Sequence, residues 1–169
     1  MSKKHAKTDV LSTPELSLRT FGFGDVLRIV GIEKWRLQNF LNGRRFHLSA
    51  TGGQLGKGQG SRRMFRLEDL YRIGIADFLV RDGFAPNCVS SVLQWIEDQD
   101  LISFDEKGRA DPPTIGFVRE KDGPKLANVA DSETILPSAQ SGVVYYVLPL
   151  AQIVQGIDDR IEKWMKGGT

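Results

Sequence analysis

Two short amphipathic segments separated by one glycine constrain this chain more than any other feature. Residues 21–30 (FGFGDVLRIV) carry Val26, Leu27 and Val30 on one face at helical spacing, which predicts a short helix starting near Gly24. Gly31 interrupts the pattern. Residues 33–41 (EKWRLQNFL) resume it as a second short helix, with Trp35, Leu37, Phe40 and Leu41 as its expected buried side. Trp35 is assigned to the core because a small domain needs a large apolar anchor. Asn42-Gly43 supplies the stop signal. Helices this short are not stable alone in water, so each must pack against a neighbour. A helix, a glycine turn and a second helix form the helix-turn-helix pattern.

The residues beyond it complete an α+β expectation. Residues 42–60 are rich in glycine and end in GKGQG, which excludes a helix and suits a loop or hairpin. Arg62-Arg63-Met64-Phe65 reads as a brief extended segment. Residues 67–82 form a long amphipathic helix, with Leu70, Ile73, Ala76, Asp77, Leu79 and Val80 in its pattern. Glu68 and Asp69 lie in its first turn, where acids suit the helix dipole. Gly83 ends it, and Ala85-Pro86 opens a further helix to about Glu97, with Val89, Val92, Leu93 and Ile96 as its stripe.

The composition then turns acidic. Residues 98–113 read as a linker, and residues 114–119 and 125–130 as short strands flanking the turn signal Asp122-Gly123. Residues 143–148 (VVYYVL) are the strongest strand in the chain. Residues 150–166 predict a last helix with Leu150, Val154, Ile157, Ile161 and Trp164 stepping 4, 3, 4, 3. That is the seam spacing of a short coiled coil, and equally of a helix packed on its own sheet. The expected organisation is a basic tail (1–20), a mostly helical unit (21–97), a linker (98–113) and a small α+β module (114–169) with an antiparallel sheet.

Charge divides the chain as the pattern does. Residues 1–90 hold 15 Lys/Arg against 8 Asp/Glu, and residues 91–169 hold 8 against 13, so a basic half joins an acidic one. Between Lys34 and Arg66 stand eight basic residues and no acid. A one-sign stretch of that length points to a polyanionic partner, or else to a merely solvated basic surface.

Other chemistries find little support. The single cysteine, Cys88, excludes an internal disulfide and any multi-thiolate zinc site, and is read as a buried helix residue. GGQLGKGQGS lacks the first glycine of a phosphate loop, with Thr51 in its place, and Gly58 follows Lys57 where Ser or Thr is needed. His5 and His47 have no partner nearby in sequence. Tyr145 and Tyr146 are adjacent in a strand and face opposite sides, as ordinary sheet aromatics or as the wall of a ligand pocket. No enzyme, metal or cofactor is expected. The N-terminus is polar and basic, and the longest apolar run, residues 143–151, is broken by Pro149. A soluble, cytoplasmic protein without a membrane segment is therefore expected.

Residues 21–96 resemble the DNA-binding domain of the MerR family of transcriptional regulators. The resemblance lies in Asp25-Val26-Leu27, in Gly31-Ile32 at the turn, and in Leu37 and Phe40 of the second helix. It continues through Arg63-Met64-Phe65-Arg66-Leu67-Glu68-Asp69-Leu70, similar to the family's wing and the acidic helix start after it. Leu79 to Phe84, then Val89, Val92 and Leu93, are similar to its third and fourth helices. Gln38 stands where the family usually has arginine, and the connection at 42–60 is longer than usual. After the fourth helix the family continues into one long dimerisation helix, which this chain replaces by an acidic and then β-like stretch.

The resemblance implies a winged helix-turn-helix that binds double-stranded DNA as a homodimer, with the second helix in the major groove and a basic wing on phosphates. Arg36, Gln38 and Asn39 are then the expected readers of bases, since Arg pairs with guanine and Gln or Asn with adenine. Lys34, Arg44, Arg45, Lys57, Arg62 and Arg63 are the expected phosphate contacts. Arg66 and Arg72 are expected to pair with nearby acids instead. Dimerisation is expected through Leu150, Val154, Ile157, Ile161 and Trp164. An effector ligand, the operator and the direction of regulation are not specified by these residues. The competing expectation is a protein-interaction adaptor that keeps the winged fold without DNA.

Overall fold

A computed structural model describes residues 19–43, 46–55, 62–98, 115–120, 123–126 and 145–167. Those residues are mostly helical. Among the described residues five helices are formed: α1 (Phe23–Val30), α2 (Lys34–Asn42), α3 (Leu67–Arg81), α4 (Pro86–Asp98) and α5 (Leu150–Met165). Strands are short. β1 (Gln54–Leu55) and β2 (Arg62–Arg63) pair antiparallel between α2 and α3. β3 (Ile115–Glu120) lies between β4 (Gly123–Leu126) and β5 (Tyr145–Leu148), antiparallel to both. Gly123, expected within the turn, instead pairs with Glu120 as the first residue of β4. Residues 1–18 of the tail and nearly all of the 98–113 linker fall outside the described residues.

Local chemistry accounts for the helix ends. Asp25, three residues into α1, accepts the Gly22 amide at 2.9 Å, and Asp69 does the same for Arg66 at 2.8 Å ahead of α3. Each carboxylate satisfies an amide that would otherwise lack a partner and sits at the positive end of its helix. Gly31 ends α1 in a left-handed conformation, φ 73°, and returns its amide to the Leu27 carbonyl at 3.1 Å. Two arginines cover the carbonyls left at this turn. Arg160 of α5 reaches Val30 O at 2.8 Å, and Arg81 of α3 reaches Gly31 O at 3.3 Å. Phe21 and Phe65 exchange backbone hydrogen bonds of 2.8 and 2.9 Å, so the entry to α1 is tied to the segment leaving β2.

One hydrophobic core joins the two ends of the chain. Val26, Ile29, Leu37, Phe40, Phe65, Leu70, Ile73, Val89 and Val92 pack in the same cluster as Leu148, Leu150, Val154, Ile157 and Ile161. This corrects two expectations. The seam of the last helix is not a free dimerisation surface: Leu150, Val154, Ile157 and Ile161 are buried against the chain's own α3 and α1. Trp164 is half-buried, with its ring 5.6 Å from that of Phe21. β5 and α5 are accordingly not separate from the helical unit, because Leu148 and the apolar stripe of α5 complete its core. The 4-3 spacing marks which side of a helix is apolar and says nothing of whose surface covers it.

The contact between α3 and α5 is close because Gly74 lies in it. A Cβ there would stand 2.5 Å from Ile157 Cδ1. Nearby, the Tyr71 hydroxyl donates to Asp158 at 2.5 Å. Burial, and then the Asp158 carboxylate, raise the ionisation of Tyr71 far above its ordinary 10.0. The folded protein thus keeps this proton where the unfolded chain loses it, so the contribution is intact below about pH 10 and declines as pH rises beyond it. Unfolding titrations at about pH 9 and 11 are expected to show lower stability at the higher pH, with a smaller drop in Tyr71→Phe. An equal drop in the variant would remove Tyr71 as the source.

Candidate nucleic-acid interface

The second helix presents a polar face assembled by its own period. Leu37, Phe40 and Leu41 point into the core, and at 100° per residue the opposite side falls on Trp35, Asn39 and Asn42. These three form one ridge at i, i+4 and i+7, flanked by Lys34 and Gln38. All five are exposed, and α2 contains no acid. Glu33 precedes it and accepts the indole N–H of Trp35.

Trp35 is therefore not a core residue. It is 56% exposed, and Leu37, Phe40 and Leu41 take the interior positions in its stead. Side-chain size pointed inward; helical phase carried the residue outward. The Arg36 guanidinium lies 5.2 Å from the centre of its ring.

Arg36 was expected to read bases, but its guanidinium is turned toward α3. Nη1 donates to Asp77 Oδ1 at 2.7 Å, with only 19% of the arginine side chain and 8% of the aspartate exposed. The second oxygen of Asp77 receives Arg81 Nε at 2.8 Å. Asp77 thus clamps α2 onto α3 through Arg36. The Nε of Arg36 is buried with no hydrogen-bond partner among the described residues. Its use here is to hold α2 on α3.

The β1–β2 pair stands beside the same helix. Its register sets Gln54 opposite Arg63 and Leu55 opposite Arg62, and Met64 donates to Gly53 O at 2.9 Å. Both arginines are exposed, but they do different things. Arg63 reaches the Leu41 carbonyl and the Asn42 side chain, each at 3.2 Å, and so satisfies acceptors at the end of α2. Arg62 lines the cleft between the hairpin and the two helices. That cleft has a volume of about 760 Å³, and Gln38, Asn42, Arg62 and Arg63 lie in its wall together with Asp25.

Asp69 anchors the base of the hairpin. Its carboxylate accepts the Thr51 amide at 2.8 Å, the Thr51 hydroxyl at 3.0 Å and the Arg66 amide at 2.8 Å. Arg72 approaches it at 3.7 Å and pairs with Glu97 at 2.8 Å, which is the pairing with acids expected for that arginine.

The structure thus brings Gln38, Arg62 and Arg63 to the wall of one cleft, leaves Lys34 and Asn39 exposed on α2, and draws Arg36 away into the brace. Lys57, Arg44 and Arg45 lie outside the described residues. Asp69 and Asp77 are the positioning residues that pattern reading missed. Their signal was a carboxylate on the inward face of an otherwise apolar helix, which needs a buried cation or amide donors.

Elsewhere, Cys88 is half-buried, not buried, and His47 is exposed. Tyr146 packs edge-on against Phe84, with ring centres 4.6 Å apart, and donates to Asp82. Burial, then the hydrogen bond to Asp82, raise its ionisation. No group of three or more metal-ligating side chains occurs among the described residues, and none of their helices is long and apolar enough to cross a membrane. No family model matches the chain, and no curated protein matches it.

Proposed function

We propose that this chain is a sequence-specific double-stranded DNA-binding protein acting in transcriptional regulation. α2 would lie in the major groove and the β1–β2 hairpin would serve as the wing of a MerR-like winged helix-turn-helix. One observation carries the reading: the outward face of α2 is free of acids, offers a lysine and three carboxamides, and adjoins Arg62 across a cleft. Carboxamides match the donor and acceptor pair on the major-groove edge of adenine, and exposed cations match phosphates. Gln38 and Asn39 are the proposed readers, with Lys34 and Arg62 on the backbone. Arg63 supports this face by fastening the end of α2. Two-fold pairing on a palindromic site would use a surface other than the buried face of α5.

A binding site selected from random duplexes, followed by gel-shift titration at two salt concentrations, tests the proposal. Arg62→Ala is expected to weaken binding to all duplexes and to reduce the salt slope by about 0.9, the counterion release of one phosphate contact. Gln38→Ala is expected to change the preferred sequence without that change in slope. Binding that is absent, or indifferent to salt, would refute the reading. The exposed Trp35 favours one other reading, a protein-interaction adaptor, because aromatic anchors of this kind dominate protein interfaces.

A further inference from the structure

Building on the DNA-facing reading of α2, we infer that Trp35 is a base-reading contact that packs against thymine methyl groups in the major groove. Its ring is the most exposed large apolar side chain among the described residues, at 56%. An exposed indole offers apolar area, together with a polar edge, that a partner can cover.

The ring is also held in place before any partner arrives. Arg36, itself fastened to Asp77 at 2.7 Å, lies over one face, and Glu33 accepts the indole N–H. A side chain fixed on two sides loses little conformational freedom on binding. This gives the brace formed by Arg36 and Asp77 a second use: it orients the indole as well as the helix.

Position selects the occupant. Trp35 shares its ridge with Asn39 and Asn42, at the centre of the face opposite the core. On the floor of the major groove the thymine C5-methyl is the apolar feature of the base edges, and its partner adenine offers the donor and acceptor that a carboxamide matches. A tryptophan and an asparagine one turn apart on one ridge therefore complement an A·T-containing step. The flanks argue for a polyanion over an apolar protein surface: Lys34 precedes the ring, Arg62 stands across the neighbouring cleft, α2 holds no acid, and the two carboxylates nearby, Glu33 and Asp25, each accept an N–H of the chain. The ring itself lines an apolar hollow of about 340 Å³, shared with Asn39, Phe46, Val80 and Pro86, which extends the same surface.

The test compares a duplex selected by the parental protein with the same duplex carrying uracil for thymine, which removes the methyl and keeps every hydrogen bond. The parental protein is expected to prefer the thymine duplex about fourfold, the effect of one buried methyl group. Trp35→Ala should bind the thymine duplex more weakly and show no thymine-to-uracil difference, while its thermal midpoint stays at the parental value because the ring is exposed. Trp35→Phe, which keeps an aromatic ring, should retain part of the preference. A parental protein indifferent to the methyl overturns the inference, as does a Trp35→Ala protein with the parental ratio, even where salt-dependent binding shows that the DNA reading holds. Loss of duplex binding in Arg62→Ala and its absence in the parental protein are distinct outcomes: the first supports the DNA reading, and the second removes both. A Trp35→Ala protein with parental DNA behaviour that fails to bind a protein partner also overturns the inference, in favour of the adaptor.

Discussion

Ile157→Asp is expected to unfold the protein instead of splitting a dimer into folded monomers. Ile157 is 1% exposed, and its Cδ1 lies where a side chain at Gly74 would begin. Removing the buried isoleucine costs about 2–5 kcal/mol, and burying a carboxylate without a partner adds at least ~1–3 kcal/mol. The sum is comparable to the whole stability of an ordinary domain, about 5–15 kcal/mol. Circular dichroism and sedimentation of the same sample make the distinction. A helical, cooperative monomer would mean that α5 dissociates harmlessly, and would return this face to the role of a subunit seam. Loss of helical signal or of the cooperative transition supports a face committed to the chain's own core. Arg160 gives the unfolding a functional side, since it ties α5 to the Val30 carbonyl at the turn that leads into α2.

The second large effect is expected at Asp77 of α3, which clamps α2 through Arg36. Its two oxygens hold Arg36 at 2.7 Å and Arg81 at 2.8 Å, and only 8% of its side chain is exposed. Asp77→Ala leaves the Arg36 guanidinium buried with no counter-charge, beside an Nε that already lacks a hydrogen bond. Breaking one side of a buried pair costs about 3–5 kcal/mol, and the lower figure applies here because Arg36 retains some solvent. The double variant Arg36→Met with Asp77→Ala is expected to recover most of that loss, because no charge is then stranded. Denaturant unfolding of the two single variants and the double variant measures it. An additive double variant would show that the two residues do not act as a pair. On the proposed function, the double variant should still bind DNA less tightly than the parent, since α2 and the Trp35 ring lose their brace.

Much of the local structure was legible in the residues. Gly31 and Asn42-Gly43 delimited the two short helices, and Pro86 opened α4 where a proline costs nothing. Within the basic stretch from Lys34 to Arg66, Lys34, Gln38, Asn39 and Arg62 stand exposed. Less legible was the work of each cation. Arg36 and Arg63 looked the same as Arg62 in sequence, yet one is bound to a carboxylate 41 residues away and another caps a helix 22 residues earlier.

The sequence by itself determined which residues share a face, because hydrophobic period, glycine stops and first-turn acids act over a few residues and need no partner. Tertiary structure alone decided what each face meets. The apolar stripe of α5 met α3 of the same chain, Asp77 met Arg36, and Arg63 met the end of α2. Such choices depend on segments far apart in the chain competing for the same buried volume and the same hydrogen-bonding groups, and a local pattern carries no record of that competition.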